Sequence, residues 1–327
     1  MQSVNDLERR KEVIQVKIEL LDNQKDWFVG EPSPLAPAKY ASVALLRTTK
    51  DYAAFRTEAD KYTNSVATPA YDGSDEVIER ALILASKQKA VERRHQSKIL
   101  RAFPQNKECY LKDELCLSCP VCALNGGIST KTEVDDISIK SRILYQTAFS
   151  VMPFEDVVES ITFNAVNEKT TKTGQALGER ELVKPDTSFL SVVTLLAPTL
   201  DELKFYLYAM LNTTRYGAET RGLGVIDNRL LGLVLSGTEE FSALQLTMDT
   251  YGNLVAENDD ADLTYDSIFG VVHEVSLSDL PEARVHKVYS KDKIPELEKA
   301  LKESSPTEDW IDGMYEKALA FRKTIEG

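Results

Sequence analysis

The sequence predicts an α+β fold on a mainly antiparallel sheet, and three observations carry that expectation. Short apolar runs, KYASVALLRTT, KSRILYQTAFSVMPF, SFLSVVTLLAP and NRLLGLVLSG, have the length and composition of strands. Two longer segments, DEVIERALILASKQKAVERRHQSKILRAF and DELKFYLYAMLNTTRYG, read as helices. The order strand, helix, strand, insertion, strand, helix, strand is that of a split βαβ unit, the ferredoxin-like or RRM arrangement.

Residues 1–37 form an N-terminal segment. Its polar first part is expected to be helical at the start, and the connector EPSPLAPAK is too rich in proline for a helix or central strand. KYASVALLRTTKDYAAFRTE holds two β-rich runs around a polar turn, a hairpin or a strand with a bent continuation. In the next segment Val77, Ile78, Ala81, Leu82 and Leu84 recur at helical intervals, which predicts one long amphipathic helix. Residues 104–137 are a cysteine-bearing loop insertion, so the sheet domain is discontinuous, 38–103 and 138–236. Within it, residues 155–187 are polar and long; strand character in ITFNAV and RELVKP predicts a projecting hairpin with a flexible tip. SFLSVVTLLAP is nearly continuous in apolar residues and is expected at the centre of the sheet. DELKFYLYAMLNTTRYG carries its acids at the N-terminal end, where the helix dipole favours them. Residues 237–327 are an acidic, mostly helical C-terminal part interrupted by ENDDADLTYD. On this reading helices cover one face of the sheet and leave the other free for a single-stranded partner.

The chain has 327 residues, 43% of them hydrophobic, enough for a sizeable core. No run approaches the ~20 apolar residues of a membrane span, and MQSVNDLERRKEV is too charged for a secretory signal, so the expected location is cytoplasmic, away from membranes. A net charge of −13 argues at first against a nucleic-acid partner. The excess is local, however: residues 236–327 hold 9 Lys and Arg against 20 Asp and Glu, whereas residues 1–139 hold 20 against 21. Lys87, Lys89, Arg93, Arg94, Lys98 and Arg101 make a basic run interrupted by Glu92, either a solvated helix face or a phosphate-contacting one.

All four cysteines lie in CYLKDELCLSCPVC, as C-x6-C-x2-C-x2-C. In a reducing compartment such a cluster points to metal rather than disulfides. Cys109, Cys116, Cys119 and Cys122 supply the four ligands of a tetrahedral zinc site, and two-residue gaps let successive thiolates turn to one centre. Iron–sulfur ligation and unmetallated thiols are the alternatives. Four thiolates leave no open position for water, so a zinc here is structural.

RYGAETRGLG places Arg215, Gly217, Arg221, Gly222 and Gly224 between a predicted helix and a strand. Glycines let backbone amides approach phosphates and arginines donate to them, although a plain helix-to-strand turn reads the same way. Lys169, Lys172, Arg180 and Lys184 on the 155–187 loop are further candidates for phosphate contact, against a mobile surface loop. No catalytic constellation stands out. His95, His273 and His286 have no metal-ligand spacing, and there is neither a G-x-S-x-G nor a Walker A pattern.

Taken in order, KYASVALLRTTKDYAAFRTE, the CPVC insertion, KSRILYQTAFSVMPF, ITFNAV, VKPDTSFLSVVTL and TTRYGAETRGLGVIDNRLLGLVLS resemble the backbone subunit of type I-D CRISPR interference complexes, the Csc branch of the Cas-seven superfamily. The resemblance implies an RRM-derived palm with inserted lobes and many copies stacked as a filament along one CRISPR RNA. It also implies a thumb hairpin between neighbouring copies. On that basis Lys140 and Arg142 would lie near the guide backbone, 155–187 would be the thumb, and Arg215 to Gly224 the glycine-rich loop. The zinc-bound insertion would face the target DNA or RNA strand, and the acidic C-terminal part would face outward or meet another Cascade subunit. No catalytic residue is expected. The rival is a target-RNA-cleaving relative, a metal-dependent endoribonuclease, with Asp51 as the nearest candidate acid. A stand-alone zinc protein would leave the long loop and RYGAETRGLG without a role.

Overall fold

The computed structural model describes residues 18–57, 62–105, 108–110, 114–128, 137–166, 169–170, 173–217, 222–256, 258 and 263–326. A short turn α1 (Glu19–Asp22) precedes strands β1 (Tyr40–Thr49), β2 (Ser65–Pro69) and β3 (Val77–Ile83), which lead into helix α2 (Ala85–Leu100). The insertion holds α3 (Pro120–Asn125) and a small ribbon of β4 (Gly127–Ile128) with β5 (Ser138–Ile139). Strands β6 (Ile143–Tyr145) and β7 (Ala148–Ser150) follow, then the turn α4 (Phe154–Val157). A hairpin of β8 (Val158–Val166) and β9 (Thr173–Val183) comes next, then β10 (Ser188–Leu196), α5 (Leu200–Leu211) and β11 (Ile226–Ser236). The C-terminal part contains α6 (Ala243–Leu254), α7 (Tyr265–Val271), a π-helical turn (Val272–Ser276), β12 (Val285–Val288), α8 (Lys293–Glu303) and α9 (Glu308–Glu326).

The main sheet has eight strands in the order β12-β11-β1-β10-β7-β3-β2, with β6 also on β10, and its pairings are antiparallel. Strand β1 sits near its middle, in register with β10 from Tyr40↔Leu196 to Thr48↔Ser188. Among the described residues, no helix is long and apolar enough to cross a membrane.

The centre of the sheet has no free face, contrary to the expectation from sequence. Leu45 lies opposite Ser191, whose hydroxyl donates to Gln88 Oε1 on α2 at 2.7 Å. On the other face Ala44 lies opposite Gly232, where a Cβ would come 2.7 Å from the Leu277 side chain, just after the π-helical turn. Helices α2 and α5 therefore cover one side, while α6 and the segment ending at Leu277 cover the other. The cause is in the strands: β10 is buried at eight successive positions, Ser188 to Leu195, and such a run needs cover on both faces.

One further expectation is corrected. Residues 77–83 form a strand rather than the first half of a long helix, with exposed Val77 and Glu79 alternating with buried Ile78 and Arg80. The contiguous apolar run Ala81, Leu82, Ile83 satisfies either period, and pairing with β2 and β7 decides it. Of the two forms open to KYASVALLRTTKDYAAFRTE, a hairpin and a strand with a bent continuation, the structure has the second: Ala53 makes an isolated bridge to Val183 and belongs to the root of the β8–β9 hairpin. That hairpin forms a two-stranded sheet of its own, as the 155–187 segment predicts.

Candidate nucleic-acid interface and metal centre

Helix α2 presents three faces to three environments. Gln88 and Glu92 point into the core and are fully buried. Lys89, Arg93 and Leu100 face the cysteine insertion. Lys87, Val91, Arg94 and Lys98 line a groove of about 840 Å³ whose other wall is built from Arg56, Arg215 and their neighbours. Spacings of four, three and four residues keep the groove residues on one side of the helix. Among the described residues, no Asp or Glu lines this groove. Desolvation, with Lys98 nearby, lowers the pKa of His95 in its wall, so that side chain is mostly neutral at pH 7.

A buried polar network fixes the groove wall to the sheet. Arg47 and Glu92 are both completely buried and pair at 2.7 Å. Arg47 Nη1 also donates to Tyr216 Oη at 3.0 Å and to Asn228 Oδ1 at 2.8 Å. The Glu92 carboxylate accepts further bonds from Tyr145 at 2.8 Å and Tyr216 at 2.9 Å. Asn228 Nδ2 donates to the carbonyls of Met210 and Thr213, so the turn after α5 is held from below. Burial opposes the charge on Arg47, but the oxygens of Tyr216 and Glu92 more than reverse this and leave its pKa above the ordinary value.

The turn itself depends on glycine. Gly217 has φ +58°, and a Cβ there would come 2.5 Å from the Phe55 ring and 2.7 Å from the Ala54 carbonyl oxygen. Gly217→Ala should destabilise the protein by about 1–3 kcal/mol from backbone strain alone, with the Phe55 clash adding to it, which urea unfolding would measure. Gly224, at φ +79°, donates its N–H to the Tyr52 carbonyl at 2.8 Å and accepts from Tyr216 N–H at 2.9 Å. Arg215 is exposed beside the groove and donates to the Leu223 carbonyl at 2.9 Å; Gly222 is exposed in the same turn. Arg221 lies outside the described residues.

Of the remaining RNA-contact candidates singled out in the sequence, the described ones do not line the groove. Lys140 is exposed just after β5. Arg142 is not on the surface: it is 4% exposed, pairs with Glu202 and donates to the Ala197 and Ala123 carbonyls at 3.1 and 3.2 Å. Glu202 also completes the capping box of α5 with Thr199, so Arg142 ties the insertion to the start of that helix. Both terminal nitrogens of the guanidinium are committed in this way, and Nε, which has no partner, is buried out of reach of a phosphate. On the hairpin, Lys169 is exposed near the tip and Arg180 lies opposite Ile161 on β9. Lys184 donates to the Asp156 carbonyl at 2.8 Å at the root. Lys172 lies outside the described residues. Sequence reasoning missed Arg56, and it saw Lys87, Arg94 and Lys98 only as part of a run. Their spacing of seven and four residues, which puts them on one helix face, was the available signal.

The insertion gathers its four sulfurs within 4.8 Å of one another. Cys109 and Cys122 are 3.5 Å apart, and Cys109 and Cys119 are 3.9 Å apart. Backbone amides point at the sulfurs: Cys116 N–H to Cys109 Sγ at 3.5 Å, Ser118 N–H to Cys116 Sγ at 3.5 Å and Cys122 N–H to Cys119 Sγ at 3.4 Å. The last of these caps α3, with Pro120 opening the helix. The thiols of Cys109, Cys119 and Cys122 directed at Cys116 hold its pKa well below the usual range, and the reciprocal contacts push Cys119 up. Such a set of convergent, mutually competing thiols can hold a metal ion. Asp51, the candidate acid of the nuclease reading, accepts the N–H of Tyr52 at 2.8 Å.

The crystal structure of Thermofilum pendens Csc2 is similar over 96% of this chain and 98% of that one, at 19% identity and a TM-score of 0.64. A chain from a CRISPR RNA-guided surveillance complex in a pre-nicking state matches over 85% of this chain and 99% of its own, at 13% identity and a TM-score of 0.50. Among curated protein sequences none matches. The family model described as Csc2 Crispr matches residues 27–313, and the chain belongs to that CRISPR family.

Proposed function

We propose that the protein is an RNA-binding backbone subunit that polymerises along CRISPR RNA and presents it for pairing with a target DNA or RNA strand in a type I-D interference complex. The groove supports this reading most directly. Lys87, Arg94 and Lys98 lie along about 16 Å of helix, at about 1.5 Å per residue, and face Arg56 and Arg215. A cationic track of that length, with no carboxylate among its described lining residues, suits several successive phosphates of a single strand. The β8–β9 hairpin is the thumb in this reading, the sheet with its helices is the RRM-derived palm, and other Cascade subunits meet the acidic C-terminal part. In this reading the protein binds the strand without cutting it, and the rival, a metal-dependent endoribonuclease with Asp51 as its acid, predicts cleavage when the complex is incubated with labelled complementary RNA and a divalent metal. Purifying the protein from cells carrying a CRISPR array tests the reading. RNA of uniform length should co-purify, and isolated protein should bind single strands of unrelated sequence with affinity that falls as salt rises. Strong preference for one sequence that survives high salt would overturn it.

The metal is zinc in this proposal. A tetrahedral zinc with bonds of about 2.3 Å separates its sulfurs by roughly 3.8 Å, and the 3.5 and 3.9 Å separations bracket that value. Thiolates of an iron–sulfur cluster sit on different iron atoms and need a wider arrangement. Zinc supplies folding free energy to an insertion whose own core is small. Elemental analysis should give about one zinc per chain, and removing it with a chelator should unfold residues 104–137. Iron with visible absorbance, or a metal-free protein with an ordered insertion, would sink the assignment.

A further inference from the structure

We infer that α2 couples the cysteine centre to the groove, so that metal occupancy and single-strand binding strengthen each other; the inference rests on the RNA-binding reading of the groove. Adjacent residues serve the two sites. Arg93 Nη2 lies 3.9 Å from Cys122 Sγ, while Arg94 lines the groove. On the insertion side, Asn125 Nδ2 of α3 donates to Gln96 Oε1 at 2.9 Å, with both residues buried. Arg101 donates to the Cys109 carbonyl at 2.9 Å, and just past the insertion Ser141 Oγ accepts from Lys89 at 2.8 Å. Leu100 shares a buried cluster with Cys119, Val121 and Cys122. The insertion thus grips α2 over its last three turns, the same stretch that carries Arg94 and Lys98.

Losing the metal removes the free energy that orders the insertion, and with it the partners of Arg93 and Gln96. A buried guanidinium and a buried amide then seek water, and α2 shifts or frays at its C-terminal half. The groove cations move with it, because they sit on the same rigid turns. An opposing electrostatic effect exists: four thiolates around a divalent ion leave a net negative centre that weakens attraction for phosphate. It acts across the width of the helix, about 10 Å, close to one Debye length at ordinary salt, so the positional effect dominates. Arg93 and Gln96 are positioning residues in this scheme.

Linkage supplies the test, since a coupling between two binding sites is reciprocal. The full-length zinc-loaded protein is titrated with a chelating dye in the presence and absence of saturating oligouridylate, and oligouridylate affinity is measured with and without zinc. Zinc affinity should rise on the order of tenfold with RNA bound, RNA affinity should fall by the same factor without zinc, and amide exchange over 93–100 should speed up in the zinc-free protein. Arg93→Met should shrink both factors together. If RNA binds but zinc affinity is unchanged or falls, the coupling is wrong and the RNA reading stands. If zinc-loaded protein binds no RNA, the RNA reading fails and the coupling with it.

Discussion

Glu92→Gln is expected to lower the unfolding free energy by roughly 3–5 kcal/mol, the range for breaking a buried ion pair from one side. Both partners are fully buried at 2.7 Å, so the variant leaves the Arg47 cation in the core without a counter-ion. The loss extends beyond the pair. Tyr145 and Tyr216 both donate to the same carboxylate, and Arg47 also holds Asn228, which in turn holds the turn carrying Arg215. Replacing the pair together, Arg47→Met with Glu92→Leu, should destabilise less than Glu92→Gln alone, because no charge is then stranded. Denaturant unfolding of the parent, Arg47→Met, Glu92→Leu and the double variant gives the coupling directly. A Glu92→Gln protein within about 1 kcal/mol of the parent would show that the pair contributes no more than a surface bridge does.

The parts of the fold legible in the sequence are those set by local composition. Strands β1, β10 and β11 announce themselves as apolar runs, and α5 opens with Thr199 and Glu202 at capping-box spacing. The β8–β9 hairpin follows from two strand-like flanks around a polar stretch. Features set by tertiary neighbours were not legible. The period of residues 77–83 is ambiguous until β2 and β7 pair with it. The expectation of one free face missed what the continuous burial of β10 requires, cover on both sides, and nothing local says which helices supply the second layer. Arg142 illustrates the limit for sites: the resemblance implies a place near the guide backbone, and only the fold reveals Glu202 as its partner. The cysteines were legible because close spacing alone forces their sulfurs together.

Replacing Lys87, Arg94, Lys98 and Arg215 with Ala should abolish most single-strand binding while leaving the fold intact. Arg94, Lys98 and Arg215 are exposed and Lys87 is half-buried, so stability should change little, by about 0.5 kcal/mol per site. If each residue neutralises one phosphate, the slope of log affinity against log salt should fall by roughly 3, at about 0.7 per contact on a single strand. Extrapolated from molar salt to 0.2 M, that slope difference is a loss on the order of a hundredfold. In an array the effect compounds, because every copy along the RNA lacks the same contacts. Lys140→Ala is the internal comparison, an exposed lysine away from the groove lining. It should change affinity by less than any single groove variant. Fluorescence anisotropy with a labelled oligouridylate at several salt concentrations reads both slope and intercept. A quadruple variant with unaltered slope would place the RNA elsewhere on the molecule, whereas a reduced slope with normal unfolding assigns the phosphate track to α2 and the Arg215 turn.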